Sequence, residues 1–458
     1  QIVNPDALLW TFLPLSIIGY FIYLKNERSI PYLILAGFFM GLGLLTKYIT
    51  NILAVYFLAI IFMEAILAGN DDRRRMNAFL RGMLIDYLML LGTAIFVAFL
   101  LLPAAWKNPS RLLEITIWSE AFHKTWMPFF AAVAIICAET FFWNSRFIHP
   151  ILRWLSAKKI WLIRSAGLLM VFFILSAMLN VYLGMRWFDF ENIVASPKTS
   201  SAFNNFFGFL SANFYSIVFG IAPFILFFLL YALAKNVFSK KITEENRWIS
   251  YLSVFILAYY LASAISLVSA TVRYQIVIFP ISFMIAAFGA KMLLDDLRLR
   301  SSYPFIAISL VLVVLSIHSL DSIRPHYFSY ASSLLPQEYV LNPKDMGDGS
   351  YEAAQYLNKL PDAEKLLVWT DKKGVCYFFT GRCSDTIELE EELKFDYYVI
   401  SAGRENRIGK LSLTKGSRSK FPMDFSKLYS SEKTVFELSI GGRKNNYVRI
   451  ISAEDISL

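Results

Sequence analysis

Cysteine is nearly absent, with three residues in a chain of 458, which excludes a scaffold built on disulfides. Cys137 sits inside an apolar run. Cys376 and Cys383 lie close together in the polar C-terminal part, where they can pair if that part is extracytoplasmic. Charge is scarce as well, at 17% of residues, and it collects between long apolar blocks. No basic face with interleaved aromatics occurs before Asp321, so the net charge of +9 does not point to nucleic acid. The C-terminal part has no Gly-rich phosphate loop, no metal-spaced Cys/His set and no Ser-centred elbow. The chain starts at Gln1 with neither an initiator Met nor a signal-peptide pattern, so either it is processed or, as expected here, upstream sequence is missing.

What the chain has is hydrophobicity. Its 57% apolar content exceeds the ~45–50% of globular proteins, and the excess lies in ten segments, at about 7–24, 31–46, 52–68, 83–104, 126–143, 165–183, 214–234, 248–268, 275–293 and 303–319. Their connections sort by charge. Alternate connections hold eighteen basic residues, among them Lys25, Arg28, Arg73 to Arg75, Lys158, Lys159, Lys240, Lys241 and Arg247, while the other set holds seven. The rule that positive loops stay inside makes the first set cytoplasmic. The residues before Ala7, the connection at Lys47 and everything after His318 then lie outside. The basic loop 146–164 carries Ile148, Ile151, Leu152 and Leu155 at one-face helical spacing and is expected to lie along the inner membrane surface. Trp106, Trp118, Trp126 and Trp187 suit the membrane–water interface.

One stretch, Gly37 to Asn51, interrupts the pattern. Residues 31–46 and 52–68 are each short against the ~20 apolar residues that a span needs, and Lys47 stands where they meet. A cation at membrane depth is costly and marks a partner or a function, unless it merely snorkels to the headgroups. The acidic side chains within the apolar runs, Glu64, Asp86 and Glu139, lie towards inner ends.

Composition changes at Asp321. Residues 321–345 read as a linker and 346–458 as a small α/β domain, after a membrane domain over 1–320. Helical spacing covers Ser350 to Leu360. Strands are expected at Lys365 to Thr370, Val375 to Thr380 and Tyr397 to Ile400, with a hairpin of Thr434 to Ile440 and Tyr447 to Ile451 around the turn GGRKNN. The fold class is thus a polytopic α-helical membrane protein of about ten spans with an extracytoplasmic α/β domain.

Several motifs, in this order along the chain, resemble the GT-C class of polytopic glycosyltransferases. They are Asn4-Pro5-Asp6 before a span, the run Gly41-Leu42-Gly43-Leu44-Leu45-Thr46-Lys47, and Leu102-Pro103-Ala104-Ala105-Trp106-Lys107-Asn108-Pro109. Arg273-Tyr274 with Pro280, Pro325-His326-Tyr327-Phe328-Ser329-Tyr330 and Phe395-Asp396-Tyr397-Tyr398-Val399-Ile400 complete the set. The chain is most similar in these to bacterial dolichyl-phosphate-mannose–protein mannosyltransferases and to the aminoarabinose (lipid A) transferases. Aminoarabinose-type members carry more spans than the ten read here. The resemblance therefore implies an N-terminally truncated fragment whose principal catalytic Asp, in the first outer loop, precedes Gln1.

The resemblance implies inverting sugar transfer from a polyprenyl-phosphate donor to a protein or glycolipid acceptor on the outer face of the cell membrane. Such chemistry needs cations on the leaving phosphate and a carboxylate to take the acceptor's proton. Asp6 matches the second outer acidic position, although Asp before an apolar run is also a good helix cap. Lys47, Arg273 and Tyr274 are the donor-phosphate candidates. Glu120, His123, Lys124, Arg186 and Asp189 lie in outer loops that can meet the acceptor, or simply form solvated amphipathic loops. No metal and no cofactor is expected. Oligosaccharyltransferases share the class, but their Trp-Trp-Asp motif does not occur here. Two readings from other classes stay open. A lipid or polysaccharide transporter or flippase would show half-helices repeated in two halves, and no partner to the Lys47 break is evident. A non-catalytic membrane-anchored cell-envelope assembly protein would need only the C-terminal domain and an anchor.

Overall fold

A computed structural model describes residues 5–69, 71–119, 125–185, 206–266, 268, 272, 274–298, 302–341, 347–385, 394–405 and 425–455. The chain forms two compact units. The first comprises Gln1–Phe173, Phe227–Ser266 and Ile276–Leu293, and the second Ile174–Leu226, Leu267–Gln275 and Leu294–Leu458.

The first unit is helical. Its N-terminal half contains α1 (Pro5–Lys25), α2 (Ile30–Thr46), α3 (Ile52–Ala68) and α4 (Arg73–Leu101). The apolar runs form helices because a lipid environment leaves the backbone no other way to satisfy its polar groups. The turn before α4 ends at Asp72, whose side chain caps the helix by accepting from the Arg74 amide at 2.9 Å, and Arg73 to Arg75 open the helix itself. Two glycines of the Gly37–Asn51 stretch have a packing role. A Cβ on Gly37 would lie 2.8 Å from the Leu90 carbonyl oxygen, and one on Gly41 2.6 Å from that of Ala94. The four-residue spacing thus seats α2 directly on the backbone of α4, as small residues do in membrane helix pairs. The loop 146–164 holds a helix, Ile148–Ser156, that buries Leu152 and exposes Ile151 and Trp154.

Across the described residues of both units, six helices are long and apolar enough to cross a membrane: Ala7–Lys25, Tyr48–Ala68, Arg73–Leu101, Lys159–Tyr182, Glu244–Ile265 and Ile278–Asp296. Five shorter apolar helices accompany them. Of the ten runs read as spans, 31–46, 126–143, 214–234 and 303–319 meet only the shorter helices, and two runs differ in form from the reading. The run 52–68 gains length because Tyr48–Asn51 continues it as a 3-10 turn, so of the two helices that meet at Lys47 α2 alone stays short. The run 214–234 is two pieces. Phe206–Phe219 ends at Gly220, and a separate helix starts at Pro223, whose ring cannot follow a preceding helical turn.

The second unit contains a five-stranded sheet of order β2-β1-β3-β5-β4, with β1 at Leu367–Thr370, β2 at Arg382–Ser384, β3 at Tyr397–Ser401, β4 at Phe436–Ser439 and β5 at Tyr447–Ser452. β1 runs parallel to β2 and β3, and β5 antiparallel to β3 and β4. Alternation along the strands splits the core. Val368, Val399, Val448 and Ile450 face the helix Ser350–Asn358, whereas Trp369, Tyr398, Ile400 and Ile451 face Leu428 and Tyr429. The expected helix at 350 and the hairpin β4–β5 are present. The strand expected at Val375 to Thr380 is instead a helix, Lys373–Phe378. Val375 within it and Phe379 just after it lie about one turn apart and both enter the core, with the Phe379 amide donating to Val375 O at 2.9 Å. The following strand β2 brings Cys383 back to Cys376, and the two form a disulfide.

Residues 326–341 have no regular structure beyond one short turn, so their carbonyls need partners from elsewhere. Arg443, from the turn GGRKNN, supplies them. Its Nη1 donates to Pro336 O at 2.7 Å and Tyr339 O at 2.9 Å, and its Nη2 to Leu335 O at 3.1 Å and Ser332 O at 3.3 Å. The side chain is buried, and that burial lowers its pKa from the ordinary guanidinium value. The Ser332 amide in turn donates to Phe219 O at 2.7 Å. Substituting Arg443→Met leaves four carbonyls short of a donor and should cost about 3 kcal/mol. Arg443→Lys should recover only part, since an ammonium lacks the planar fork. Thermal unfolding of the purified variants checks both.

Candidate functional site

Three acidic side chains lie in the apolar helices of the first unit, where an unpaired carboxylate is expensive. Each is matched. Asp86 Oδ2 accepts from Arg28 Nε at 2.8 Å, from Arg28 Nη2 and from the Tyr23 hydroxyl at 2.5 Å. Glu64 Oε1 accepts from Arg247 Nε at 2.7 Å, from Arg247 Nη2 at 2.6 Å and from the Tyr251 hydroxyl. Glu139 accepts from the amides of Phe147 and Ile148, the latter at 3.1 Å, and so serves the start of the helix Ile148–Ser156. Two of the three partner sets link residues far apart in sequence. Glu64 and Glu139 sit near the ends of their helices, whereas Asp86 lies midway along α4. Their geometry is that of cross-braces, so they do not mark a transport path. Removing one partner of the Glu64–Arg247 pair should cost about 3–5 kcal/mol, while Glu64→Gln with Arg247→Met together should cost clearly less than the sum. Unfolding of the two single variants and the double variant measures that coupling.

Lys47 lies at the other end of α2, roughly 25 Å from Ile30 at the helical rise of ~1.5 Å per residue. The helix ends there because Lys47 adopts an extended conformation, with its amide still donating to Gly43 O at 2.9 Å. A tight turn follows. The Thr50 amide and hydroxyl both donate to Lys47 O, at 3.1 and 3.0 Å, and Thr50 packs over Gly43, where a Cβ would approach it to 2.8 Å. Asn51 Nδ2 fastens the turn to the loop that precedes Glu120, donating to Thr116 O at 2.9 Å and Ser119 Oγ at 3.3 Å. The half-buried Lys47 side chain thus rises from a braced break between two helices, beside the Leu102–Ser119 segment.

Tyr274 belongs to the second unit, in the turn before the helix Ile278–Asp296, and is half-buried. Its neighbour Gln275 is fully buried and donates from Nε2 to Asn213 Oδ1 at 2.7 Å, while Gln275 Oε1 is buried without a hydrogen-bond partner. Asn213 closes the break in Phe206–Phe219, donating to Phe209 O at 3.0 Å and receiving the Ser216 hydroxyl on its carbonyl at 3.0 Å. Asn213 and Gln275 are not among the residues marked in the sequence, and of the braces only the acids Glu64, Asp86 and Glu139 are, without their partners. A signal for the two amides is present, since each is an isolated polar residue inside an apolar stretch.

In the sheet domain, His326 lies between Asp348 and Glu352, at 4.0 and 3.7 Å, and Ser329 donates to Asp348 at 2.5 Å. This fastens the Pro325–Tyr330 motif to the start of the helix Ser350–Asn358. Asp371, at the end of β1, accepts from the Ser401 amide at 2.9 Å, its hydroxyl at 3.2 Å and the Tyr429 hydroxyl at 2.6 Å. Burial, reinforced by Asp371, raises the Tyr429 phenol far above its ordinary pKa.

Of the residues expected at the site, Glu120, His123, Lys124, Arg186, Asp189 and Arg273 lie outside the described residues, as does the side chain of Asp6. Lys47 and Tyr274 are described, one in each unit. Among the described residues no group of His, Cys, Asp and Glu is placed to hold a metal ion.

No protein-family model and no curated protein matches the chain. Among solved structures it is similar to the archaeal oligosaccharyltransferase AglB from Archaeoglobus fulgidus in complex with an inhibitory peptide and a dolichol-phosphate. The identity is 15% and the TM-score 0.32, over 99% of this chain and 57% of that one. The apo form of the Archaeoglobus fulgidus oligosaccharyltransferase gives 15% identity and a TM-score of 0.30, over 88% and 52%. The chain thus spans little more than half the length of these enzymes, and at this degree of likeness no residue role transfers.

Proposed function

We propose that the chain is part of an inverting membrane glycosyltransferase that moves a sugar from a polyprenyl-phosphate donor to a protein or glycolipid acceptor on the extracytoplasmic side. The observation that carries this reading is the Lys47 turn, a half-buried cation on a braced helix break, at the end of α2 remote from the basic connections. In the reaction, an acceptor hydroxyl attacks the anomeric carbon opposite the phosphate. The carbon–oxygen bond to phosphate breaks, and its electron pair leaves on polyprenyl phosphate. A carboxylate takes the hydroxyl proton. Lys47, Arg273 and Tyr274 are each a candidate to stabilise the leaving phosphate, and Asp6 is the candidate secondary acidic group. Glu120, His123, Lys124, Arg186 and Asp189 contact the acceptor. The bond between Cys376 and Cys383 supports an oxidising compartment for the sheet domain, and the sorting of basic residues supports the same side for Lys47.

The natural full-length protein in proteoliposomes, supplied with a polyprenyl-phosphate sugar and acceptor, tests the reading. Lys47→Ala should lower kcat/KM for the donor about 100-fold, with Lys47→Arg retaining most of it. Turnover near wild type in Lys47→Ala would remove Lys47 from the site. A flippase is favoured by one observation, the second broken helix Phe206–Phe219 with its Asn213–Gln275 pair. Translocation of labelled lipid without sugar transfer in the same vesicles would select it.

A further inference from the structure

On the basic side of the first unit the ends of several helices leave a pocket of about 840 Å³. Five cations line it, Lys25, Lys159, Lys240, Lys241 and Arg247, against one carboxylate, Glu244. Two of the five have acidic partners. Arg247 holds Glu64 at 2.6 Å and Lys25 holds Glu244 at 3.0 Å. Lys159 reaches Leu67 O at 3.4 Å, while Lys240 and Lys241 are exposed. The lining therefore carries an excess of positive charge from Lys159, Lys240 and Lys241, beside the N-terminal end of the helix Glu244–Ile265, where the helix dipole is also positive.

The walls are apolar. Leu67, Ile160 and Trp248 line the same pocket. The helix Ile148–Ser156 adjoins it, since a Cβ on Gly69 would stand 3.0 Å from Ser156 Oγ and 3.6 Å from Lys159 Nζ. That helix exposes Ile151 and Trp154, with Lys158 over the Trp154 ring at 4.3 Å, the pattern of a helix lying in the headgroup plane. Trp161, one turn into the next helix, is exposed as well. The pocket is thus cationic at its mouth, apolar on its walls and set at the level of lipid headgroups.

We infer that this pocket holds the phosphate headgroup of an anionic phospholipid from the leaflet on the basic side, with Lys159, Lys240 and Lys241 around the phosphate and Ile160 and Trp248 against the glycerol and first methylenes. Basic pockets between membrane helices recognise lipids in this way. The site lies at the opposite end of α2 from Lys47 and does not depend on the transfer reaction.

The test titrates phosphatidylglycerol or phosphatidylcholine into the purified full chain in mixed micelles and reads the lipid-bound fraction by native mass spectrometry. Phosphatidylglycerol should bind about tenfold or more tightly than phosphatidylcholine, as expected for three lysines near a phosphate. Lys240→Glu with Lys241→Glu should abolish that preference. The neutral pair Lys240→Gln with Lys241→Gln should reduce it, and covers the case of a charge-reversed variant that fails to fold. Arg73→Glu, on the same face but outside the lining, should leave it unchanged. Undiminished preference in both lysine pairs, or an equal loss in Arg73→Glu, would overturn the site. Displacement of phosphatidylglycerol by inorganic phosphate at the same concentration would assign the pocket to a soluble anion and overturn the lipid.

Discussion

A carboxylate inside a bilayer has no water to hydrate it, and the first unit is organised around that constraint. Asp86 draws Tyr23 and Arg28 of the α1–α2 corner onto α4. Glu64 draws Arg247 and Tyr251 onto α3. Glu139 takes the first amides of the helix that follows its own. Glu64 and Glu139 stand near helix ends and Asp86 midway along α4, and each partner comes from the basic connections or the helix beside them. The charges that set orientation in the membrane therefore also lock that end of the helices together. α2 then runs from this braced end, packed through Gly37 and Gly41 on the backbone of α4, to the break at Lys47.

The second unit uses the same economy of charge on backbone instead of on acids. One buried guanidinium satisfies four carbonyls of a segment that has no ladder of its own. One carboxylate, Asp371, is filled by three donors where β1 and β3 end side by side. Around them the sheet divides its side chains between two cores by simple alternation. The buried amide pair Asn213–Gln275 differs from these in keeping an acceptor, Gln275 Oε1, without a partner, at the break of Phe206–Phe219 and next to Tyr274.

What was legible in the sequence follows from the range of each interaction. Helices in the membrane part are written locally, in apolar runs of helical length, and so was the break at Lys47, where one cation stops such a run. The division of 214–234 was less legible because Gly220 and Pro223 are small interruptions in continuous hydrophobicity. The helix at Lys373 was read as a strand, since six residues fit either period and only the core on one face decides between them. Arg443 lay hidden in a turn motif that explains its glycines and asparagines fully. The pairs Glu64–Arg247 and Arg28–Asp86 join residues far apart, which no local pattern reports. For the candidate site, Lys47 was legible for its cost, whereas the Asn51 and Thr50 contacts that brace it required the fold.

The proposed function requires a definite sidedness, with the braced, basic end of the first unit facing the cytoplasm and the Lys47 break facing the outside. Labelling of single cysteines with a membrane-impermeant maleimide, in a Cys137→Ser background, tests it directly. Tyr48→Cys, on the exposed residue next to Lys47, is predicted to label in intact cells, and Lys241→Cys only after lysis. Labelling of Lys241→Cys in intact cells, with Tyr48→Cys protected until lysis, would contradict the account.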